Sequence, residues 1–449
     1  MKNKRFVLYL SALLSLSALS AQSEAGAIFL LISPGARAGG MGEAQVAVAN
    51  DAYASYWNPA GLGFLKGSEL ALMHVNWLPN LADDLYYEFL AYRKHIKHLG
   101  TVGGHIIYLN LGEQLRTSEF AVELGTFTTY MMAVAFSYSS LLSPHSSLGI
   151  NTKITYQHLA SIGAGAEKGK GTSTDFGFDI GYLRKGFINP RLDLGLTVTN
   201  IGPKVAFIDA AQADPQPTNL TLGLQYRLVD SEFNRLSLVY DVDKLLVASY
   251  PDMDWDGDGK IGGYDTEGHV SLSNAEYNVK GKRETAHTDP IYQAIFTSWV
   301  DDWLLGGDVD KSPPSYDSDG KIGGWYHAND KNDNGIPEYG EMALTGGEFG
   351  DDTWGIYNEF GQKEVGTGKD RTVMNEVDKL VHNIGAEYWY ANNFAMRIGY
   401  YYDKTGKIGN MTLGFGLRFA SYGFDFGYIA GKAEDSLSNT MRFSMNMEF

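Results

Sequence analysis

The chain has 449 residues, a formal net charge of −17 and no cysteine. Without thiols it forms no disulfide, carries no lipid on cysteine and performs no thiol chemistry. The acidic balance argues against a nucleic-acid partner, while 28 Tyr, 22 Phe and 53 Gly suit many strands flanked by aromatic girdles.

Lys2, Lys4 and Arg5 precede an apolar run from Phe6 to Leu19, with small residues at Ser20 and Ala21. This pattern predicts a secretory signal peptide over residues 1–21. Its removal takes away three positive charges, so the mature chain carries a formal charge of −17 − 3 = −20. No other stretch reaches the roughly eighteen apolar residues of a spanning helix. The expectation is an exported chain with no helical anchor.

Residues 22–66 are too long for a simple lead-in to a first strand. They contain the run Gly-Ala-Arg-Ala-Gly-Gly-Met-Gly from Gly35 to Gly42, followed by Asn58, Pro59 and Ala60. Small residues such as Gly39, Gly40, Ala44 and Ala47 let a backbone pack closely inside a barrel. Asn58-Pro59 favours a turn that opens a short helical element. In the structural reading these residues cap and turn the chain; in the functional one they touch cargo or ligand.

Strands are read from period-two alternation of apolar and polar residues. The clear ones run from Leu148 to Gln157, Leu192 to Asn200, Thr218 to Leu228, Leu236 to Val242, Met411 to Phe419, Tyr422 to Tyr428 and Met441 to Phe449. Weaker alternation marks 67–77, 85–96, 100–109, 126–140, 173–184, 381–391 and 393–403, for a total of fourteen. An even count is the rule for bacterial single-chain barrels. With both ends of the barrel chain in the periplasm, connections after even strands should be short and those after odd strands long. The even connections include Lys97 to Leu99, Ser143 to Ser147 and Lys185 to Arg191; the odd ones include Asn110 to Gly125, Ser161 to Thr172, Ile201 to Pro217 and Leu246 to Leu380, while Lys404 to Gly409 and Gly431 to Leu437 are modest for odd connections. The fold class is therefore all-β: a transmembrane outer-membrane barrel with barrel strands over 67–249 and 376–449. Inward-facing positions that can be assigned, Asn151, Lys153, Gln157, Thr197 and Gln225, are polar.

The region 250–375 differs from the rest. It holds 25 Asp plus Glu against 10 Lys plus Arg, a net of −15. By parity it follows the ninth strand and is expected outside the cell. Asp330, Asn332, Asn334, Gly335 and Glu341 fit a calcium loop, in which alternate side chains converge, the backbone carbonyl of the seventh residue, Ile336, adds a ligand, and the last carboxylate binds bidentately. Asp254, Asp256, Asp258, Gly259, Lys260 and Asp265 repeat the pattern with Asp at the twelfth position. Asp317 and Asp319 form a third, less complete run between Ser315 and Tyr326. Bound calcium would neutralise a self-repelling loop and order it. Solvated acidic loops are the simpler alternative.

The terminal strand has Met441, Phe443, Met445, Met447 and Phe449 on one face and Arg442, Ser444, Asn446 and Glu448 on the other. Phe443, Met445, Met447 and Phe449 form the expected barrel-closing C-terminal signal, which implies the barrel-assembly machinery and outer-membrane lipids as partners. No Ser/His/Asp order, histidine pair at metal spacing or phosphate-cradling loop is present. Histidines such as His95, His98 and His158 fall in strands or turns. The chain is not expected to be an enzyme.

The Gly35–Gly42 run followed by Asn58, Pro59 and Ala60, together with the fourteen-strand layout, resembles the FadL-like outer-membrane proteins and, more closely, their PorV/PorQ branch associated with type IX secretion. The resemblance does not cover 250–375. It implies that residues 22–66 fold back into the lumen as a hatch, and that the protein receives or shuttles secreted cargo at the cell surface with type IX components as partners. The wider family implies the alternative, uptake of hydrophobic small molecules through a lumenal pocket. A third reading is a surface adhesin displaying the acidic region. A transporter should line its lumen with a continuous apolar pocket, and the polar inward positions favour secretion.

Overall fold

The structure is a computed structural model that describes residues 25–117, 123–160, 171–207, 213–247, 249–250, 287–300, 325–328, 342–345, 373–431 and 437–449. The signal region and every predicted calcium ligand lie outside the described residues. The chain divides into two compact units. One comprises Ala25–Val247 with Asp378–Phe449 and is the barrel with its hatch. The described parts of the other include a helix, Ile291–Thr297, and two short strand pairs, Ser249–Tyr250 with His287–Thr288 and Trp325–Ala328 with Met342–Thr345.

Fourteen strands close the barrel: β1 (Ser68–Asn76), β2 (Tyr86–Ile96), β3 (Gly100–Thr117), β4 (Glu123–Ser143), β5 (Ser146–Ala160), β6 (Gly171–Arg184), β7 (Leu192–Ile201), β8 (Asn219–Asp230), β9 (Asn234–Leu245), β10 (Val381–Tyr390), β11 (Phe394–Asp403), β12 (Ile408–Phe419), β13 (Tyr422–Ala430) and β14 (Met441–Glu448). Each pairs antiparallel with its sequence neighbours, and β14 closes on β1 with Met447 opposite Leu70 and Phe443 opposite His74. Closure leaves no strand edge exposed to lipid, the condition for spanning a membrane with sheet. Residues 97–99, 144–145 and 420–421 are among the short turns at one end, as the parity argument expects.

β3 and β4 exceed their sequence limits. Where the alternation predicts a loop from Asn110 to Gly125, strand runs on to Thr117 and begins again at Glu123, because β3 continues past a register shift between Asn110 and Glu113. The left-handed Gly112 (φ 71°) accommodates this irregularity. A bulge breaks the period-two signal without ending the strand, so alternation stops short there.

Outward side chains form the lipid-facing band. Phe136, Ile154, Phe176, Leu238, Ile384, Met411, Phe424 and Phe443 are exposed apolar residues on eight different strands. An aromatic arc of Tyr86, Tyr108, Tyr130 and Tyr156 crosses β2–β5 with neighbouring ring centroids 6.0 Å apart. A second arc of Tyr240, His382 and Tyr402 crosses β9–β11. Such amphipathic rings suit the headgroup level of a bilayer.

Candidate functional site

Residues 25–66 fill the lumen. They form a 3₁₀ turn (Ile28–Leu31), α1 (Ala36–Gly39), α2 (Ala54–Trp57) and a second 3₁₀ turn (Pro59–Phe64), and nearly all of their side chains are buried. Elements this short gain little from intrinsic helix propensity. Contacts with the barrel wall hold them.

The wall has two chemistries. Across β1–β4 the inward residues include Met73, Val75, Phe89, Ile107, Leu109 and Ala133, and hatch residues Phe29, Leu30, Tyr53, Trp57 and Leu62 join them in one buried cluster. Tyr53 stacks on Phe89 at 5.0 Å between centroids. The polar tips of the hatch aromatics are satisfied by main chain: Tyr53 donates to Leu72 O at 2.9 Å, Tyr56 to Leu30 O at 2.9 Å and Trp57 to Pro34 O at 3.0 Å.

From β5 to β14 the wall is polar and the hatch approaches it closely. Asn151, Lys153, Gln157 and Thr197 are buried, as their inward assignment requires. On β5–β8 and β10–β13 a lumenal glycine of each strand meets the hatch backbone or Asn58. A Cβ on Gly149 would lie 2.2 Å from Pro59 C, one on Gly181 2.2 Å from Asn58 Oδ1, and one on Gly399 2.1 Å from Gly42 N. Similar contacts join Gly195 to Val46, Gly223 to Ala47, Gly385 to Met41, Gly414 to Gly40 and Gly427 to Ala36. Side chains then bind the hatch amides: Ser444 Oγ accepts from Ala36 N at 2.7 Å, Thr412 Oγ1 from Gly42 N at 2.8 Å, and Asp241 Oδ2 from Gln45 N and Val46 N at 2.7 and 2.8 Å. These partners are what an irregular backbone inside a barrel needs.

Asn58 caps a turn and ties the hatch to the wall. Its Oδ1 accepts from Ala60 N at 3.1 Å, capping the turn that starts at Pro59, while its Nδ2 donates to Val46 O and Tyr182 O, each at 3.1 Å. It is fully buried. The Ala60 carbonyl accepts from Ser147 Oγ at 2.6 Å and Ser139 Oγ at 3.2 Å.

A chain of ion pairs links hatch to wall. Arg37 of α1 bonds Glu387 of β10 through Nε and Nη2, both at 2.8 Å, and Asp51 at 3.1 Å. Glu387 also takes Arg397 of β11 at 2.8 Å, which reaches Asp425 of β13 at 2.8 Å, and Asp425 takes Arg418 at 2.8 Å. Burial opposes the Arg37 charge, yet Glu387 and Asp51 hold the guanidinium above its ordinary pKa. Separately, Arg442 of β14 pairs with hatch Glu43 at 2.6 Å, and Arg93 of β2 with Glu69 of β1 at 2.7 Å. Reasoning from sequence missed these residues. Their signal was a charge at an inward position of an alternating strand, as at Glu387 and Asp425.

At the short-turn end a cavity of about 540 Å³ lies against hatch residues 47–51. Lys185, Arg227, Arg235, Arg418 and Trp389 help to line it. Arg418 and Arg397 lie over the Trp389 ring at 5.1 and 5.5 Å. Polar and charged groups dominate its lining.

A sequence profile of the family described as type IX secretion system protein PorV matches residues 20–252, just over half of the chain. The chain belongs to the PorV family. This PorV-family protein is an outer-membrane β-barrel of the type IX secretion pathway. No curated protein matches the sequence. Among solved structures it is similar to the toluene transporter TbuX of Ralstonia pickettii, at 13% identity and TM-score 0.48, covering 94% of this chain and 100% of that one. It is similar to the toluene transporter TodX of Pseudomonas putida, at 13% identity and TM-score 0.44, covering 92% and 96%. A FadL homologue of Pseudomonas aeruginosa follows at 11% identity and TM-score 0.37, covering 92% and 98%.

Proposed function

We propose that this PorV-family barrel is a plugged, non-catalytic platform whose outward-facing loops receive secreted proteins and pass them to attachment machinery. The observation that supports this reading is the hatch. Its apolar side chains cover the apolar wall, its backbone is bonded to the polar wall, and polar and charged groups dominate the cavity at the short-turn end. A lumen filled in this way suits a surface role better than uptake of a hydrophobic solute. Affinity purification from outer membranes should recover secretion and attachment components, and deletion should leave cargo unreleased while toluene and fatty-acid uptake stay at wild-type rates. Lost uptake with normal secretion sinks the proposal.

Two parts of this reading concern residues 1–24 and 248–377. The outer-membrane protein should begin after Ala21, read as its N-terminal mass. Calcium bound at Asp330, Asn332, Asn334, Ile336 and Glu341, at Asp254, Asp256, Asp258, Lys260 and Asp265, and around Asp317 and Asp319, would order the acidic insertion. Chelation should speed proteolysis of the insertion, and Asp330→Ala with Glu341→Ala should abolish much of that calcium effect. An unchanged cleavage rate with and without chelator removes calcium from the proposal.

A further inference from the structure

Buried carboxylates of the barrel unit come with cations, with one exception. Asp51 and Glu387 meet Arg37, Glu69 meets Arg93, Asp179 meets Lys153, Asp193 meets Arg227, and Asp425 meets Arg397 and Arg418. Asp241 of β9 is equally buried, at 1% exposure, and has no ion pair among the described residues. Its Oδ2 takes the two hatch amides of Gln45 and Val46, and its Oδ1 has no hydrogen-bond partner.

Asp243, two residues on, shares the lumenal face and also lacks an ion pair. Its carboxylate is held by neutral donors: Thr221 Oγ1, Asn219 Nδ2 at 3.2 Å and Asn383 Nδ2 at 2.6 Å. Asn383 of β10 stands opposite Asp241 in the register and is 3% exposed. Its Nδ2 bonds Asp243, and its Oδ1 has no hydrogen-bond partner. Gln45 on the hatch is 1% exposed, and both polar atoms of its side chain are unpartnered. A buried ion left uncompensated costs about several kcal/mol even after relaxation. The two carboxylates and the amide oxygens of their neighbours Asn383 and Gln45 offer only hard oxygen donors, with no imidazole or thiolate among these four residues, the chemistry that selects calcium-like cations over transition metals.

We propose that Asp241, Asp243, Asn383 and Gln45 form a lumenal site for a hard divalent cation, with calcium as the working ion, that pins the hatch to β9 and β10. The half-buried Asp243 gives the ion access. This site shares no residue with the predicted loops of 250–375 and does not depend on the cargo reading.

The test is calcium stoichiometry and thermal unfolding of the full-length protein in detergent. To separate the two kinds of site, a background variant carries Ala at Asp254, Asp265, Asp317, Asp319, Asp330 and Glu341, and D241N/D243N is compared in wild type and in that background. The carboxamides preserve shape, and the gel mobility shift on heating reports whether the barrel still closes. The wild type should bind one more calcium than D241N/D243N, and calcium should raise the unfolding midpoint and hatch protease resistance in the background variant but not once D241N/D243N is added. If D241N/D243N fails to close, N383L, which keeps both carboxylates, should weaken calcium affinity at least tenfold. Equal stoichiometry with and without the acids, or an unfolding midpoint indifferent to calcium while D241N/D243N is simply more stable, overturns the proposal in favour of carboxylates that hold protons.

Discussion

The β1–β4 wall and the β5–β14 wall hold the same hatch by opposite means. The first is an apolar surface against which Tyr53, Trp57 and Leu62 are packed side chain to side chain. The second is a track of glycines and hydrogen-bonding side chains against which the hatch backbone lies almost directly. Apolar packing is non-directional and tolerates small adjustments of position. Backbone bonding and buried ion pairs fix register, and lose much when one partner is missing. The difference assigns anchoring to one wall and alignment to the other.

The contrast is broken most severely on the glycine track. Gly181→Val would drive a side chain into Asn58 and Pro59, with a Cβ already 2.2 Å from Asn58 Oδ1. It should displace the hatch around the Asn58 turn, seen as protease cleavage between residues 50 and 66 and as conductance across a planar bilayer, while the heat-dependent gel shift still reports a closed barrel. Unchanged protection would show that the hatch can yield there.

Arg37→Ala should cost about 3–5 kcal/mol of hatch retention, because it leaves Glu387 and Asp51 buried with fewer counter-charges. The readout is hydrogen exchange of hatch amides. Exchange should accelerate around α1 first and at Trp57 last, and uniform acceleration would mean that the two walls are not independent. The smallest effect belongs to one hydroxyl bond on the apolar wall. Tyr53→Phe removes only the bond to Leu72 O at 2.9 Å and keeps the ring on Phe89, so a loss of about 1 kcal/mol is expected. A loss comparable to Arg37→Ala would make that wall as directional as the other.

Strand existence, strand number and turn parity were legible because one face of every strand meets lipid and the other meets the lumen, and alternation records that boundary residue by residue. Strand length was less legible. β3 runs through the register shift at Gly112, which interrupts the alternation without ending the strand. Asn58 was visible as a turn former, and the fold shows it also donating to Tyr182 O, a strand residue 124 positions away. Arg37 stood in the Gly35–Gly42 run, but its partner Glu387 is 350 residues distant.

By itself the sequence determined the compartment, the all-β barrel class and the presence of a small-residue segment able to enter a lumen. These follow from local composition and period, which act over a few residues at a time. Only the tertiary structure decided that the lumen has an apolar wall and a polar one, that strand glycines make room for the hatch backbone, and that Asp241 and Asp243 lack the cation their neighbours have. Barrel closure causes this, since it brings residues hundreds of positions apart into one low-dielectric space, where each polar group must find a partner that no local pattern can name.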